Sequence, residues 1–330
     1  MYLYYCITMD IIIYSKIGFD KMIIISIVVP VLNAGSYIRE CIKSLIRQDF
    51  PNDQYEIIVV DNGSDDNTMS ILEEYKRCIT IIHESKKGSY IARNTGINVC
   101  RGKIIAFTDG DCVANENWLK ELYQGFSSDN IGCVVGAINS YPGKSLVEIY
   151  SKNKDILDQK TTLDSRFMPY GQTANVGFRK EVFEKIGLFD EEFVSGGDAD
   201  IAWRMQLNTS YKLIYCPTSI VEHHHRTTFK GLFKQQFRYG FGRIELYKKY
   251  GDHMTQKTDT KYDMRYNLYN SAKLISNFML FFIRTIKRSC GLCSRYDMYE
   301  PLLSLLFVSG YGLGKIYGSS KLKKSFLSTM

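Results

Sequence analysis

From Ile23 onward a short apolar run, a polar turn and a segment of helical periodicity follow one another repeatedly. IIISIVV leads through a Pro/Asn/Gly loop into Ser36–Gln48, where Tyr37, Ile38, Cys41, Ile42, Leu45 and Ile46 recur near 3.6 residues. YEIIVV (Tyr55–Val60) leads through DNGSDDNT into a helix over MSILEEYKR, with Thr68 as its N-cap. Thr80–His83 precedes a glycine-containing loop and a helix over Ser89–Val99, and KIIAFTD then enters Gly110. Continuous apolar runs this short are strands covered on both faces, so the repeat implies an α/β fold built on a parallel sheet. A helix near Asn117–Gly125 and a strand at Ile131–Ile138 extend it. After a less regular stretch from Asn139 to Gly171 come a helix from about Asp198 to Gln206 and a last strand, YKLIYCP, running on into IVEHHHR.

Open α/β sheets hold ligands beyond the carboxyl ends of their strands. Each of the first four ends here is polar: Asn33, Asp61, Glu84 and Asp109. Asp109 and Asp111 flank Gly110 on one short turn, a pair of hard oxygen ligands suited to Mg²⁺ or Mn²⁺ that draws its other ligands from water and substrate phosphate. The oxygen-rich DNGSDDNT is not a calcium loop, because such a loop starting at Asp61 needs glycine and glutamate where Asp66 and Leu72 stand. Nor does it carry the GxGxxG of a dinucleotide site. Its Gly63 and Ser64 suit a tight bend that leaves Asp61 to accept hydrogen bonds from a base or ribose.

VVPVLNAG, VVDNGSDDNT, ARNTGI, FTDGDC, GGDADIAWR and VEHHHR with QQFRYG occur in one order between about Ile23 and Arg243. Together they resemble glycosyltransferase family 2. The resemblance implies a GT-A fold, with a Rossmann-like nucleotide-binding half and an acceptor half, and an inverting transfer from a nucleotide-diphosphate sugar, expected to be uridine-based. It implies that Pro30, Val31 and Asn33 line the base pocket with Asp61, beside Asn62 and Gly63, where Asn62 replaces the family's second aspartate. Arg93 would meet phosphate or base. Asp109, Gly110 and Asp111 would lie at the donor, with Asp109 and Asp111 on the metal, Asp109 supporting ribose or metal-bound water, and His223, preferred to His225, as a third ligand; a phosphate contact without metal is the alternative for the histidine. In a strand-like continuation His223 and His225 face one way and His224 the other.

Asp198, in a segment where Gly197 replaces the family's glutamate, is expected to be the base that takes the proton from the acceptor hydroxyl. An N-cap is the plainer role for it, and Asp200 pairs with Arg204 at i,i+4. Trp203, Gln235, Arg238 and Tyr239 are acceptor-side candidates, with core packing the default for Trp203. The segment from Phe229 would then act as a lid that excludes water.

The chain's net charge of +7 is unevenly spread. Residues 226–330 hold 19 Lys/Arg against 6 Asp/Glu, or +13, which leaves −6 for residues 1–225. In the basic part Leu274–Ile286 and Leu302–Ile316 are shorter than the about 20 residues that span a bilayer. Basic residues flank these runs, which favours an anionic membrane surface over nucleic acid as partner; a helical pair packed on the domain is the alternative. Expected boundaries are an extension at 1–21, a transferase domain at 22–228 and a basic, amphipathic helical region at 229–330. Asp10, Lys16, Asp20 and Lys21 break the extension before it reaches a span. Nine cysteines without framework spacing, including a lone Cys290/Cys293 pair that lacks zinc partners, point to a reducing cytoplasm. The composite expectation is a metal-dependent enzyme at the inner face of a membrane, acting on a lipid-linked or polysaccharide acceptor in cell-envelope or exopolysaccharide synthesis. A module that binds nucleotide or glycan without turnover is the competing reading. A nucleotidyltransferase lacks support, because VPVLNAGS has no basic residue before Arg39.

Overall fold

The computed structural model describes residues 22–255 and 260–328, so the expected extension at 1–21 lies outside the described residues. Eight strands form one sheet: β1 (Ile25–Val31), β2 (Tyr55–Asp61), β3 (Thr80–His83), β4 (Ile104–Phe107), β5 (Cys112–Ala114), β6 (Ile131–Ser140), β7 (Val176–Arg179) and β8 (Lys212–His223). Their order is β3-β2-β1-β4-β7-β6-β8-β5. β3, β2, β1 and β4 are mutually parallel, as are β6 and β8; β7 runs antiparallel between β4 and β6, and β5 antiparallel along β8. The expectation of a parallel sheet therefore holds for the first half and for most strands, with β7 as a reversed seam joining the two halves.

Side-chain alternation explains the apolar runs. Ile25, Ile27, Val29 and Val31 of β1 point into one core with Ile57, Val59, Ile104 and Ala106. Val28, Ile58, Val60, Ile105 and Phe107 point into the opposite core. Helix Ile38–Ile46 and Trp118 cover the first face; helices Ser89–Val99, Lys180–Ile186 and Gly197–Asn208 cover the second. Gly96 lets helix Ser89–Val99 lie tight on β1, because a Cβ there would come within 2.5 Å of Val28 Cγ1. Around the seam, the fully buried Asn175 accepts from Trp118 Nε1 (2.8 Å) and donates to the carbonyls of Ala137 (2.8 Å) and Ser219 (2.9 Å).

Two local expectations are corrected. Thr68 is the first residue of helix Thr68–Glu73 rather than its N-cap, which is Asn67. Its hydroxyl instead accepts from Ala34 N, tying the helix to the loop after β1. The stretch read as less regular contains helices Leu146–Asn153 and Gln159–Leu163, the first opened by a Ser145/Glu148 capping box.

The basic C-terminal region is helical as expected, over Phe229–Thr255, Thr260–Ser289 and Arg295–Ser328. Much of it packs on the domain, so a boundary at 228 separates sequence character rather than cores. Leu246 and Tyr250 join the second core, and Leu232 and Leu303 close a small third core on Val147, Tyr150 and Ile156. Tyr250 Oη donates to Asp200 Oδ1 at 2.7 Å, alongside Lys249 at 2.7 Å and Arg204 Nε at 2.9 Å. This buried carboxylate thus gains the expected Arg204 partner and two more from the C-terminal region. Gly240 faces the Tyr311 carbonyl, and Gly314 faces that of Phe237, so helices Phe229–Thr255 and Arg295–Ser328 cross backbone to backbone. Among the described residues no helix is long and apolar enough to cross a membrane.

Candidate active site

The carboxyl ends of β1, β2 and β3 form one rim, since register sets Val31 beside Asp61 and Asp61 beside His83. Asp61 is buried and already engaged: it accepts from Gly63 N (3.1 Å) and Ser64 N (3.2 Å) and lies 3.1 Å from His83 Nδ1. Burial pushes its pKa up, but the hydrogen bonds from Ser64, His83 and Gly63 outweigh this and leave it below the ordinary carboxylate value. Gly63 takes a positive φ of 78° to make the bend. Asn33 is exposed in the left-handed region (φ 54°) and accepts from Asp65 N, while Pro30 is half-buried and Val31 buried. Asn62, expected at the donor, spends its amide elsewhere. It donates to the carbonyls of Glu84 and Lys86 and accepts from Gly88 N, strapping the loop after β3 to the rim.

Arg93 and Asp109 also differ from expectation. Arg93 is buried, and its Nη2 donates to Asp109 Oδ1 at 2.6 Å. A buried guanidinium requires an anionic partner, so Asp109 is turned toward Arg93 rather than toward the metal group. That group among the described residues is Asp111, Cys112 and His223, whose ligand atoms lie within 4.8 Å of one another. It follows from register, because Cys112 of β5 pairs with His223 at the end of β8. His223 Nε2 is 3.3 Å from Asp111 Oδ1, and its buried Nδ1 has no hydrogen-bond partner. A carboxylate and an imidazole nitrogen are both ligands for divalent cations, so Asp111 and His223 would hold such an ion. Arg226 Nη1, 3.5 Å from Asp111 Oδ2, adds positive charge at the same point. The other two histidines are occupied: the His224 ring stacks on Tyr141, and His225 Nε2 is 2.7 Å from Ser140 Oγ. Gly110 packs under Val31, where a Cβ would come within 2.9 Å of Val31 Cγ1.

Asp198 stands in the first turn of helix Gly197–Asn208, whose N-cap is Gly196 in a left-handed conformation. Its carboxylate accepts from Thr173 N (3.3 Å) and Thr173 Oγ1 (3.2 Å). Burial raises its pKa; Arg93 and Thr173 pull it down, and the negative charge of Asp109 pushes it up, leaving it above the ordinary value. Tyr90 fastens this helix by accepting from Gly197 N at 2.9 Å. Asp198 lines a cleft of about 1580 Å³ together with Tyr239, Arg243 and Gln236.

Trp203 is a core residue. Its ring meets Phe167, Tyr170 and Tyr250 edge to face and its Nε1 donates to the Met168 carbonyl, so only an edge reaches the cleft. Gln235 is buried off the cleft, and its neighbour Gln236 lines it instead; Arg238 is exposed. Tyr239 does line it, and burial raises its pKa to about 12. Sequence reasoning missed Thr173, Tyr90, Arg226 and Arg243, of which only Arg226 fell inside a motif already singled out, VEHHHR.

Topology and rim together define a GT-A fold. The sequence profile of glycosyl transferase family 2 matches residues 26–187. Glycosyltransferase AglE of Haloferax volcanii is 32% identical over 230 residues, covering 68% of this chain and 74% of that protein. The chain belongs to glycosyltransferase family 2. Among solved structures, a mannosyltransferase from Pyrobaculum calidifontis in complex with GDP-Man and Mn²⁺ shares the fold at a TM-score of 0.59 and 16% identity, covering 94% of each chain. S. aureus TarS 1-349 in complex with UDP does so at 0.50 and 14% identity, covering 91% of this chain and 92% of that one.

Proposed function

We propose that the protein is a metal-dependent inverting glycosyltransferase of hexosyl type, moving a sugar from a UDP-sugar to a lipid-linked or polysaccharide acceptor of the cell envelope. The observation that carries this is Asp198, a partly buried carboxylate of raised pKa held by Thr173 on the wall of the cleft. A base so placed takes the proton from the acceptor hydroxyl as its oxygen attacks the anomeric carbon from the side opposite the leaving diphosphate. The bond from that carbon to the diphosphate oxygen breaks, and its electron pair leaves with the nucleotide. A divalent cation, when bound at Asp111 and His223, supplies neutralisation of that growing charge. Arg226 contributes to the same field, and the Arg93–Asp109 pair holds the turn that carries Asp111 in place.

The Asn33–Asp65 and Gly35–Asp66 hydrogen bonds and the Asp61 turn form the nucleotide side of this reading. The experiment is calorimetric titration with UDP, with GDP as control, each in Mn²⁺ and then in excess chelator. UDP binding that disappears on chelation supports the reading. GDP binding in its place moves the donor to a guanosine sugar, and no binding of either nucleotide under both conditions overturns the donor site.

A further inference from the structure

The cleft that starts at Asp198 does not end on the sheet. It continues between helix Phe229–Thr255 and the two helices that follow, and its lining changes from Tyr239 and Arg243 to Leu274, Leu313 and Ile316. Leu313 and Ile316 are 48% and 67% exposed, so the side chains that line the cleft also face outward. Lys315 lies between them on the wall.

Beyond Leu274 the same helix carries Ile275, Phe278, Met279, Phe282, Ile283 and Ile286, all exposed and spaced alternately three and one apart, which puts them on one face. That face is not the packing face. Phe281 meets Tyr299, and Arg284 donates to the Asp297 carbonyl and to Glu300. Residues 274–328 contain eight Lys/Arg (284, 287, 288, 295, 315, 321, 323 and 324) against Asp297 and Glu300 alone. An apolar face on a helix that ends in Lys287 and Arg288 and is not apolar enough to span matches an anionic bilayer surface. A second copy seated on Leu313 and Ile316 would instead cover the mouth of the cleft.

We propose that the exposed face of helix Thr260–Ser289 docks on an anionic bilayer, and that the acceptor is an amphiphile with an anionic headgroup drawn from it. Its apolar chain leaves along Leu313 and Ile316 while Arg243 meets the headgroup, which brings the acceptor hydroxyl to Asp198. The inference rests on the glycosyl-transfer reading and narrows its acceptor to the lipid-linked class.

The test uses the full chain in two arms. In co-sedimentation, vesicles of phosphatidylcholine with phosphatidylglycerol should retain the protein and phosphatidylcholine alone should retain it at least tenfold less. The Phe282→Glu/Ile286→Glu double variant should lose that retention, with nucleotide affinity unchanged. In calorimetry, decyl phosphate below its micellar concentration should bind at least tenfold tighter than decanol or inorganic phosphate, and Arg243→Gln should erase the advantage over decanol. Intact nucleotide binding with no vesicle retention, with equal affinity for the three probes, or with the double variant abolishing a stable dimer overturns this inference while sparing the donor site. Loss of nucleotide binding by the unaltered chain overturns the function itself.

Discussion

Two glycines in helix Arg295–Ser328, only two positions apart, should respond to the same substitution with opposite signs. A Cβ on Gly314 would sit 2.1 Å from the Phe237 carbonyl oxygen and 3.0 Å from Phe241 N, both backbone atoms of the crossing helix that no rotamer change can move. Gly314→Ala must push the two helices apart, an overpacking cost of about 1–3 kcal/mol. A Cβ on Gly312 meets nothing within 4 Å, so Gly312→Ala yields only the helix-propensity gain of about 0.5–1 kcal/mol. Both substitutions share that propensity gain, so the two variants should differ by the overpacking cost alone, about 1–3 kcal/mol. Urea unfolding followed by far-ultraviolet circular dichroism measures this directly. Because Tyr239 and Arg243 sit on the displaced helix, Gly314→Ala should also weaken acceptor binding more than nucleotide binding. Equal stabilisation by both variants would refute the helix crossing, and with it the far wall of the cleft.

Asp198→Asn should leave nucleotide affinity within twofold and lower turnover by about 10²–10⁴-fold, the range for losing a general base. The base form of Asp198 grows as pH rises, so the acidic limb of kcat/KM should lie above the ordinary carboxylate range, with rate climbing through it; a limb at the ordinary value would dissociate Asp198 from the proton transfer. Asp111→Asn should abolish the Mn²⁺ dependence of nucleotide binding seen by calorimetry, whereas Asp109→Asn should first loosen Arg93 and retain part of that dependence. Tyr250→Phe removes one donor from the buried Asp200 and should cost about 1.5–3 kcal/mol in urea unfolding, leaving Lys249 and Arg204 to hold it.

The donor half was readable because β1, β2 and β4 are buried on both faces and therefore spelled as unbroken apolar runs, with the polar rim residue coming next. β7 escaped that logic. It has four residues, one of them Gly177 packed against Leu122 and Phe126, and it pairs antiparallel with strands distant in sequence. β5, with three residues, is shorter than any periodicity can register. The Ser145/Glu148 capping box was a legible signal for helix Leu146–Asn153 in a stretch otherwise read as irregular. In the site, Asp111, His223 and Asp198 fall where their strand and helix ends put them. The hydrogen-bond partners of Asn62 and Asp109 come from residues 16 to 26 positions away, which no local pattern announces. The exchange of Gln235 for Gln236 is a helix-phase error: one residue is about 100° of rotation, enough to turn a side chain from core to cleft.

Among the described residues the third core, on which the C-terminal pair rests, contains Val147, Tyr150, Ile156, Leu232 and Leu303 as buried apolar residues, far fewer than either core flanking the sheet. A cooperative unit with so little buried area opens at a lower free energy than the sheet it leans on. Backbone amides of Arg295–Ser328 should then exchange with deuterium well before those of β1 and β2, and under the proposed function a bulky acceptor would gain passage whenever this wall breathes.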